Sequence, residues 1–536
     1  MMMRFLPVNL NALLVELRDL NETLSLFDAL RYTTPDGVEE MIPAARTLLV
    51  RFNPHTTSFA RLAQAIAGCD LGRSDTRQGE RVMIPVDYQG EDLPQVAELL
   101  GISVSEVIAR HTGNDYMVAF TGFAPGFAYL SGGENLNVPR RSSPRPRIPA
   151  GAVALAGLFS GVYPQESPGG WQLIGTTPLK MWDLARDVPA LLQPGSRVAF
   201  CDNRRRPVSV RRPDALPAAA DNPPLDTGCA LVVKTAGLQT LLQDAGRPGL
   251  AGQGISASGA MDKGAMRRAN RLVGNAPGTA VLEIVQGGLV FRVEGHTVMA
   301  LAGAPCPVTI TRADGAVWQA RPFTPIALDD GDTVTLGIPS SGVRSYLAVR
   351  GGFAVTPVMG SLATDTLARL GPEPLRAGTR LPVSAPERLT AVELSAEGDV
   401  TLPVAGETVT LDVVAGPRTD WFTDEAWQAL TEQEWLVTLL SDRIGLRLQA
   451  DTPLARTVLH ELPSEGTCAG SIQVPPNGQP VLFAVDHPLT GGYPVIGCVA
   501  AYHLDLLGQL PVNARIRFRA VTSFSALTLP ADAGAA

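Results

Sequence analysis

The sequence predicts a mainly β protein with α/β additions, in which two joined modules each carry a related β-barrel. Three observations carry that expectation. A nine-residue phrase occurs twice, as SPGGWQLIG from Ser167 to Gly175 and as LTGGYPVIG from Leu489 to Gly497. Short strand-like runs recur between turn signals in a chain with 53 glycines and 44 prolines, the pattern of many short elements joined by tight turns. The segment PDALPAAADNPPLDTG, Pro213 to Gly228, has four prolines, no aromatic residue and no apolar periodicity, so it reads as an extended linker between two units large enough to fold alone.

At 536 residues the chain exceeds the roughly 250 to 300 at which one core stops growing, so several domains are expected. We place a small α/β domain at 1–85, a barrel at 86–212, the linker at 213–228, a first β-rich domain of the second module at 229–411, a second barrel at 412–525 and a tail at 526–536. In the first domain RTLLVRFNP is strand-like, and TTSFARLAQAIAGC spaces Leu62, Ile66 and Cys69 on one helical face. RVMIPVDY closes that unit. EDLPQVAELLGISVSEVIARHTG then reads as two short helices, the second opened by Ser103 or Ser105 with Glu106 behind in the manner of a capping box. Beyond His111 come short strands and Gly/Pro turns. In the second module ALVVKT, GLVFRV, TVTLGI and SYLAVRGG are strand-like at barrel-like spacing. Helices are expected over Met261–Gly274 and over Thr423–Gln433, the latter behind an N-cap at Thr423.

Composition excludes several function classes. Hydrophobic residues make up 45% and charged residues 18% of the chain, enough to build large cores. The net charge of -8 argues against a general attraction to nucleic acid or to an anionic membrane, so any anion site is local. The six cysteines are scattered without a CxxC pair, which suggests neither zinc nor a disulfide framework and fits a reducing compartment. The amino terminus makes a poor signal peptide, and no run of about 18 uncharged apolar residues occurs. A cytoplasmic protein that binds a small-molecule substrate, without metal, nucleic acid or membrane, is expected.

Consecutive glycines let backbone pass close to a neighbour and turn N–H groups to one side, so Gly169, Gly170, Gly491 and Gly492 are candidate anion-binding positions. PRRSSPRPR concentrates Arg140, Arg141, Arg145 and Arg147 between prolines, either a carboxylate or phosphate clamp or a solvated basic loop. GFAPGFAYL, with Gly126 at its turn, presents N–H groups to an oxyanion or simply joins two strands whose aromatics pack. His111 is an acid–base candidate or a structural histidine. Asp442 and Arg443 in SDRIG are site residues or a surface ion pair, and Asp486, beside His487 before the second Gly-Gly, offers a carboxylate. Gln473 and Asp262 are polar in otherwise tight text and need partners. There is no GxxxxGK[ST] loop, no HExxH and no GxSxG, and LKMWD is not the Met-Lys-Met of a covalent biotin carrier.

HTGNDYMVAFTGFAPGFAYLSG, PRRSSPRPRIPAGAV and YPQESPGGWQLIGTTP resemble the B subunit of 5-oxoprolinase, also called allophanate hydrolase subunit 1, densely over Tyr88 to Phe200. LQDAGRPGLAGQGISASGAMDKGAMRRANRLVGN, AVLEIVQGG, SDRIGLRL, GSIQVPPNGQPVL and DHPLTGGYPVIG resemble the C subunit of the same system. The pair is also similar to the carboxyltransferase region of urea carboxylase and to a sporulation kinase inhibitor and its antagonist. The resemblance implies cyclophilin-like barrels duplicated across two fused modules, and it moves Arg140 and Arg145 toward function. It implies ATP-dependent opening of 5-oxoproline to glutamate together with the separate A subunit of 5-oxoprolinase, with ATP as cosubstrate. The alternatives are a carboxyltransferase that takes CO2 from biotin on a carboxylase or carrier partner to urea or a related amide, and a non-enzymatic histidine-kinase regulator. Two departures stand out. Ala152 replaces the family's usual serine, and Leu362 and Ala363 replace its usual arginine and serine, which removes donors that a ligand would use.

Overall fold

The computed structural model describes residues 2–71, 79, 81–141, 143, 145–204, 228–385, 391–395 and 401–530. The expected linker, apart from Gly228, lies outside the described residues. Among the described residues strand makes up 36% and helix 16%, as a mainly β protein with helical additions requires.

The N-terminal unit is a five-stranded sheet in the spatial order Val38–Pro43, Thr47–Phe52, Ala12–Glu16, Met2–Asn9 and Leu527–Pro530. Its strands are apolar on both faces, because each face is covered. Phe5, Leu13, Val15 and Val50 pack under the helices Leu20–Tyr32 and Phe59–Ala67 through Leu26, Leu30, Leu62 and Ile66. Leu6, Leu14 and Leu49 on the other face meet Cys468, Leu489 and Cys498 of the second module. Part of the expected tail is therefore a strand: Met2 pairs with Pro530 and Phe5 with Leu527, and Leu527 and Leu529 pack against the helix-covered core.

Two barrels follow one plan. The second is closed, in the order Thr408–Ala415, Arg515–Ala520, Trp435–Val437, Gly445–Gln449, Val481–Phe483, Ser471–Gln473 and Val495–Val499. The first runs Arg81–Val86, Arg197–Asp202, Tyr116–Thr121, Ala128–Ser131, Phe159–Val162, Ala152–Ala156 and Gln172–Thr176, and a bridge from Asp87 to Thr176 brings its ends together. Each has one parallel pair, between its first and last strands in sequence. Each also carries a two-stranded ribbon, Arg145–Ile148 with Ser167–Gly169 and Glu465–Gly466 with Thr490–Gly491. The repeated phrase occupies the same place in both, one ribbon strand and the barrel strand after it. Both barrels take in a whole strand across the expected boundaries near 85 and 411.

Between the barrels in sequence, a six-stranded and a five-stranded sheet enclose a core of Leu231, Phe291, Leu301 and Leu347. Helix Lys263–Val273 packs Met266, Ala269 and Leu272 on Ala300, Tyr346 and Ala348. Asp262 caps its start, accepting from the Ala265 N–H at 2.7 Å, and Gly274 ends it at φ +73°, a left-handed turn that glycine adopts without a Cβ penalty.

Candidate active site at the junction of the modules

A cavity of about 350 Å³ opens where the N-terminal sheet, the start of helix Lys263–Val273 and the second barrel meet. The first module contributes Asn9, Asn11, Glu40 and Arg51, and the second contributes Ser258, Lys263, Arg267, Cys468, His487 and Asp505. Asn9 ties the two together. At a register shift in its strand its amide turns outward and donates to the Val499 carbonyl at 2.9 Å.

Lys263 and Arg267 are four residues apart on one helix and so share a face. Neither side chain has an ion pair among the described residues. Asp505, the nearby carboxylate, accepts from the Lys263 and Gly264 backbone N–H groups, both at 3.0 Å. Burial pushes the Lys263 ammonium below its ordinary value, Arg51 adds to that, and Asp505 opposes it. Arg51 itself is held by Glu40 and Glu39 at 3.2 and 3.3 Å. His487 is 8% exposed. Its Nδ1 lies 2.9 Å from the Pro488 carbonyl, which can only accept, so Nδ1 carries the proton and Nε2 keeps its lone pair. Burial lowers this imidazole to about 4, which keeps it neutral at pH 7. The arrangement offers two cations without an ion pair among the described residues, for an anion, and a neutral nitrogen that accepts a hydrogen bond or a proton.

A buried charge network holds this wall in place. Asp486 accepts from Ser258 Oγ at 2.6 Å, from Thr366 N and Oγ1 at 2.9 and 2.8 Å, and from Arg443 Nε at 3.0 Å. Arg443 also donates to Glu283 at 2.5 Å and to the Gly259 carbonyl at 2.7 Å. Glu283 in turn accepts from the Met261 N–H at 2.9 Å and from Tyr346 Oη at 2.8 Å. Burial alone would lower Arg443, but Asp486 and Glu283 outweigh it and raise it. Ser258 sits at φ +54°, a region few residues other than glycine adopt, and its bond to Asp486 compensates. The network thereby fixes the segment that leads into Lys263, while the next residue after Asp486 lines the cavity.

The Gly-Gly loops lie elsewhere, at a second contact between the modules. Arg141 N donates to the Gly170 carbonyl at 2.8 Å, while the neighbouring Arg140 lies over the other loop, where a Cβ on Gly492 would run into its guanidinium. Arg140 is held by Glu461 at 2.9 Å and by Ser464 Oγ at 3.1 Å. Arg145 is bidentate on Asp92, at 2.8 and 2.9 Å, and Arg141 reaches the same carboxylate at 2.7 Å. These arginines therefore already hold protein carboxylates. The second barrel repeats the bridge with charges exchanged: Arg418 stands where Asp92 does, its N–H bonded to Val495 O as that of Asp92 is to Leu173 O. Its partner Glu465 faces Gly491 across the ribbon as Arg145 faces Gly169.

The other expected residues are placed as follows. His111 is fully buried inside the first barrel, with Tyr88 Oη 2.6 Å from Nδ1 and Ser160 Oγ 2.9 Å from Nε2, and burial lowers it to about 3. It packs 4.2 Å from the Phe200 ring and does not reach the cavity. Asp442 is exposed and accepts from the Ile444 and Gly445 N–H groups of its own turn. Gln473 donates to the Tyr493 carbonyl at 3.3 Å under the second Gly-Gly loop. Gly126, at φ +77°, donates to the Gln253 carbonyl at 3.2 Å, so its loop docks on the second module. Sequence reading passed over Lys263, Ser258, Asn9 and Cys468. The one local signal was the constrained text around Asp262.

Residues 253–520 match the family described as carboxyltransferase domain, subdomains A and B, and residues 3–192 match the one described as subdomains C and D. The C subunit of the Escherichia coli K12 5-oxoprolinase is 38% identical over 291 residues, which is 54% of this chain and 90% of that protein. The B subunit of the Escherichia coli O157:H7 5-oxoprolinase is 39% identical over 177 residues, 32% of this chain and 81% of that protein. The crystal structure of TTHA0988 superposes with a TM-score of 0.78 at 34% identity, covering 95% of this chain and 99% of that one. One chain thus joins what the Escherichia coli relatives carry as separate B and C subunits, and it belongs to the carboxyltransferase-domain family, with subdomains C and D preceding A and B.

Proposed function

We propose that this chain is the fused B and C component of an ATP-dependent 5-oxoprolinase, which opens 5-oxo-L-proline to glutamate together with a separate A subunit. The observation that carries the reading is the cavity, whose wall is built from both modules. Neither module alone encloses it, which accounts for joining them. A lactam carbonyl is a poor electrophile, and ATP supplies a phosphoryl group that activates its oxygen. The heads of Lys263 and Arg267, without an ion pair among the described residues, fit an anionic group, carboxylate or phosphate, and would hold it there. His487 Nε2 accepts a proton or hydrogen bond from the bound molecule, and the apolar sheet face beneath the cavity limits water.

The experiment mixes purified chain with the A subunit of 5-oxoprolinase and follows ADP release with and without 5-oxo-L-proline. Stimulation by 5-oxo-L-proline supports the reading, and its absence overturns it. The carboxyltransferase description of both modules favours a second reading, transfer of carboxylate from a biotinylated carrier to urea or a related amide. Labelled carboxylate arriving on urea, with no lactam-dependent ADP release, selects that reading instead.

A further inference from the structure

We propose that Cys468 and Cys498 form a peroxide-reactive thiol pair in the wall of the inter-module cavity, a modification site whose co-reactant is a small hydroperoxide. The two sulfurs lie 3.8 Å apart, and backbone pairing sets that separation. Cys498 is the direct strand partner of Ser471, and Cys468 is tied to Ser471 by a turn in which Ser471 N donates to the Cys468 carbonyl at 3.1 Å. A disulfide needs the sulfurs to close to about 2.05 Å, a step that small side-chain rotations supply when the backbone already holds the residues this near.

The two thiols are not equivalent. Cys468 lines the cavity and is 9% exposed, whereas Cys498 lies behind it at 0%. The hydrogen bond from the Cys498 thiol pulls Cys468 below its ordinary value, and burial pushes Cys498 well above. Cys468 is therefore the sulfur that meets a small oxidant entering the cavity, and the thiolate is the reacting form. Its sulfur attacks one peroxide oxygen, an S–O bond forms as the O–O bond breaks, and the other oxygen leaves as hydroxide, or as alkoxide from an organic hydroperoxide, which takes up the proton released by the Cys468 thiol to give water or an alcohol. The sulfur is oxidised by two electrons to sulfenic acid and the peroxide is reduced. Cys498 then attacks that sulfur, the S–S bond forms, the S–O bond breaks, and the oxygen leaves as water with the Cys498 proton.

Disulfide formation draws the Cys498 sulfur from Asn9, whose amide nitrogen lies 3.1 Å from it. Asn9 keeps its bond to Val499, but one of its two links between the modules is lost and the cavity wall moves. The modification does not depend on which reaction the cavity performs.

The test treats full-length protein with hydrogen peroxide, removes the excess with catalase, alkylates under denaturing conditions, digests without reduction and maps peptides by mass spectrometry. A Cys468–Cys498 crosslink, lighter than the two thiol peptides together by two hydrogens and reversed by dithiothreitol, is expected. Cys468→Ser should leave Cys498 alkylatable. Cys498→Ala, checked for folding by circular dichroism, should stop at a Cys468 sulfenic acid that dimedone captures. Recovery of both cysteines in alkylated form from peroxide-treated wild type, or a crosslink from Cys468 to a different cysteine, overturns the proposal.

Discussion

Replacing Arg443 with methionine strands the buried Asp486 carboxylate, leaves Glu283 with only the longer Arg344 ion pair at 3.4 Å among the described residues, and should unfold the second module early. Arg443 is 2% exposed, Asp486 0% and Glu283 1%, so no water replaces the lost guanidinium. Breaking such a buried pair by removing one partner costs about 3–5 kcal/mol, because the remaining charge is left without compensation. For a domain of a few hundred residues that is a fall in Tm of about 6–20 °C. Differential scanning calorimetry reads it, with Arg515→Met as the control. Arg515 is half-exposed and pairs with Glu434 at 3.7 Å, an interaction worth about 1 kcal/mol or less. Adding Asp486→Asn and Glu283→Gln to Arg443→Met should recover part of the loss, since the penalty comes from the unpaired charges. A Tm for Arg443→Met within about 2 °C of the Arg515→Met control would refute the reasoning.

Two further outcomes are expected. Gly492→Ala should push the Arg140 guanidinium off its seat over the loop. The double variant with Arg140→Ala should then be no less stable in urea than Arg140→Ala alone. His111 has the opposite kind of signature, one of pH. Burial lowers it to about 3 in the fold, whereas the unfolded chain takes up a proton below about 6.5. The stabilisation is complete above about pH 6.5 and is lost as pH falls toward 3, by about 2 kcal/mol at pH 5. His111→Gln should remove that part of the acid sensitivity, measured as the change in urea midpoint between pH 7.5 and pH 5.

Local text carried much of the fold. Ser103 and Thr423 accept from the Glu106 and Ala426 N–H groups as their positions suggest, because capping is decided within one turn of chain. The repeated phrase found two barrels because its glycines allow backbone approach that side chains forbid, at Gly491 over Gln473 and at Gly169 beside Tyr163. What local reading missed depends on distant partners. The arginine run looked like an anion clamp because Asp92, its carboxylate, precedes it by dozens of residues. Lys263 carries no local signal, because only docking of the N-terminal sheet, with Arg51, encloses it. Leu527–Pro530 looked like a tail because its partner strand opens the chain.

Steady-state kinetics decide whether the reaction takes place between the modules. ADP release stimulated by 5-oxo-L-proline is measured in the presence of the A subunit of 5-oxoprolinase for wild type, Lys263→Met and the remote control Arg515→Met. If the Lys263 head holds the substrate's anionic group, losing that charge-assisted contact raises the KM for 5-oxo-L-proline at least about tenfold, while Arg515→Met matches wild type. Lactam-dependent turnover that proceeds in Lys263→Met with wild-type kcat and KM would contradict that placement.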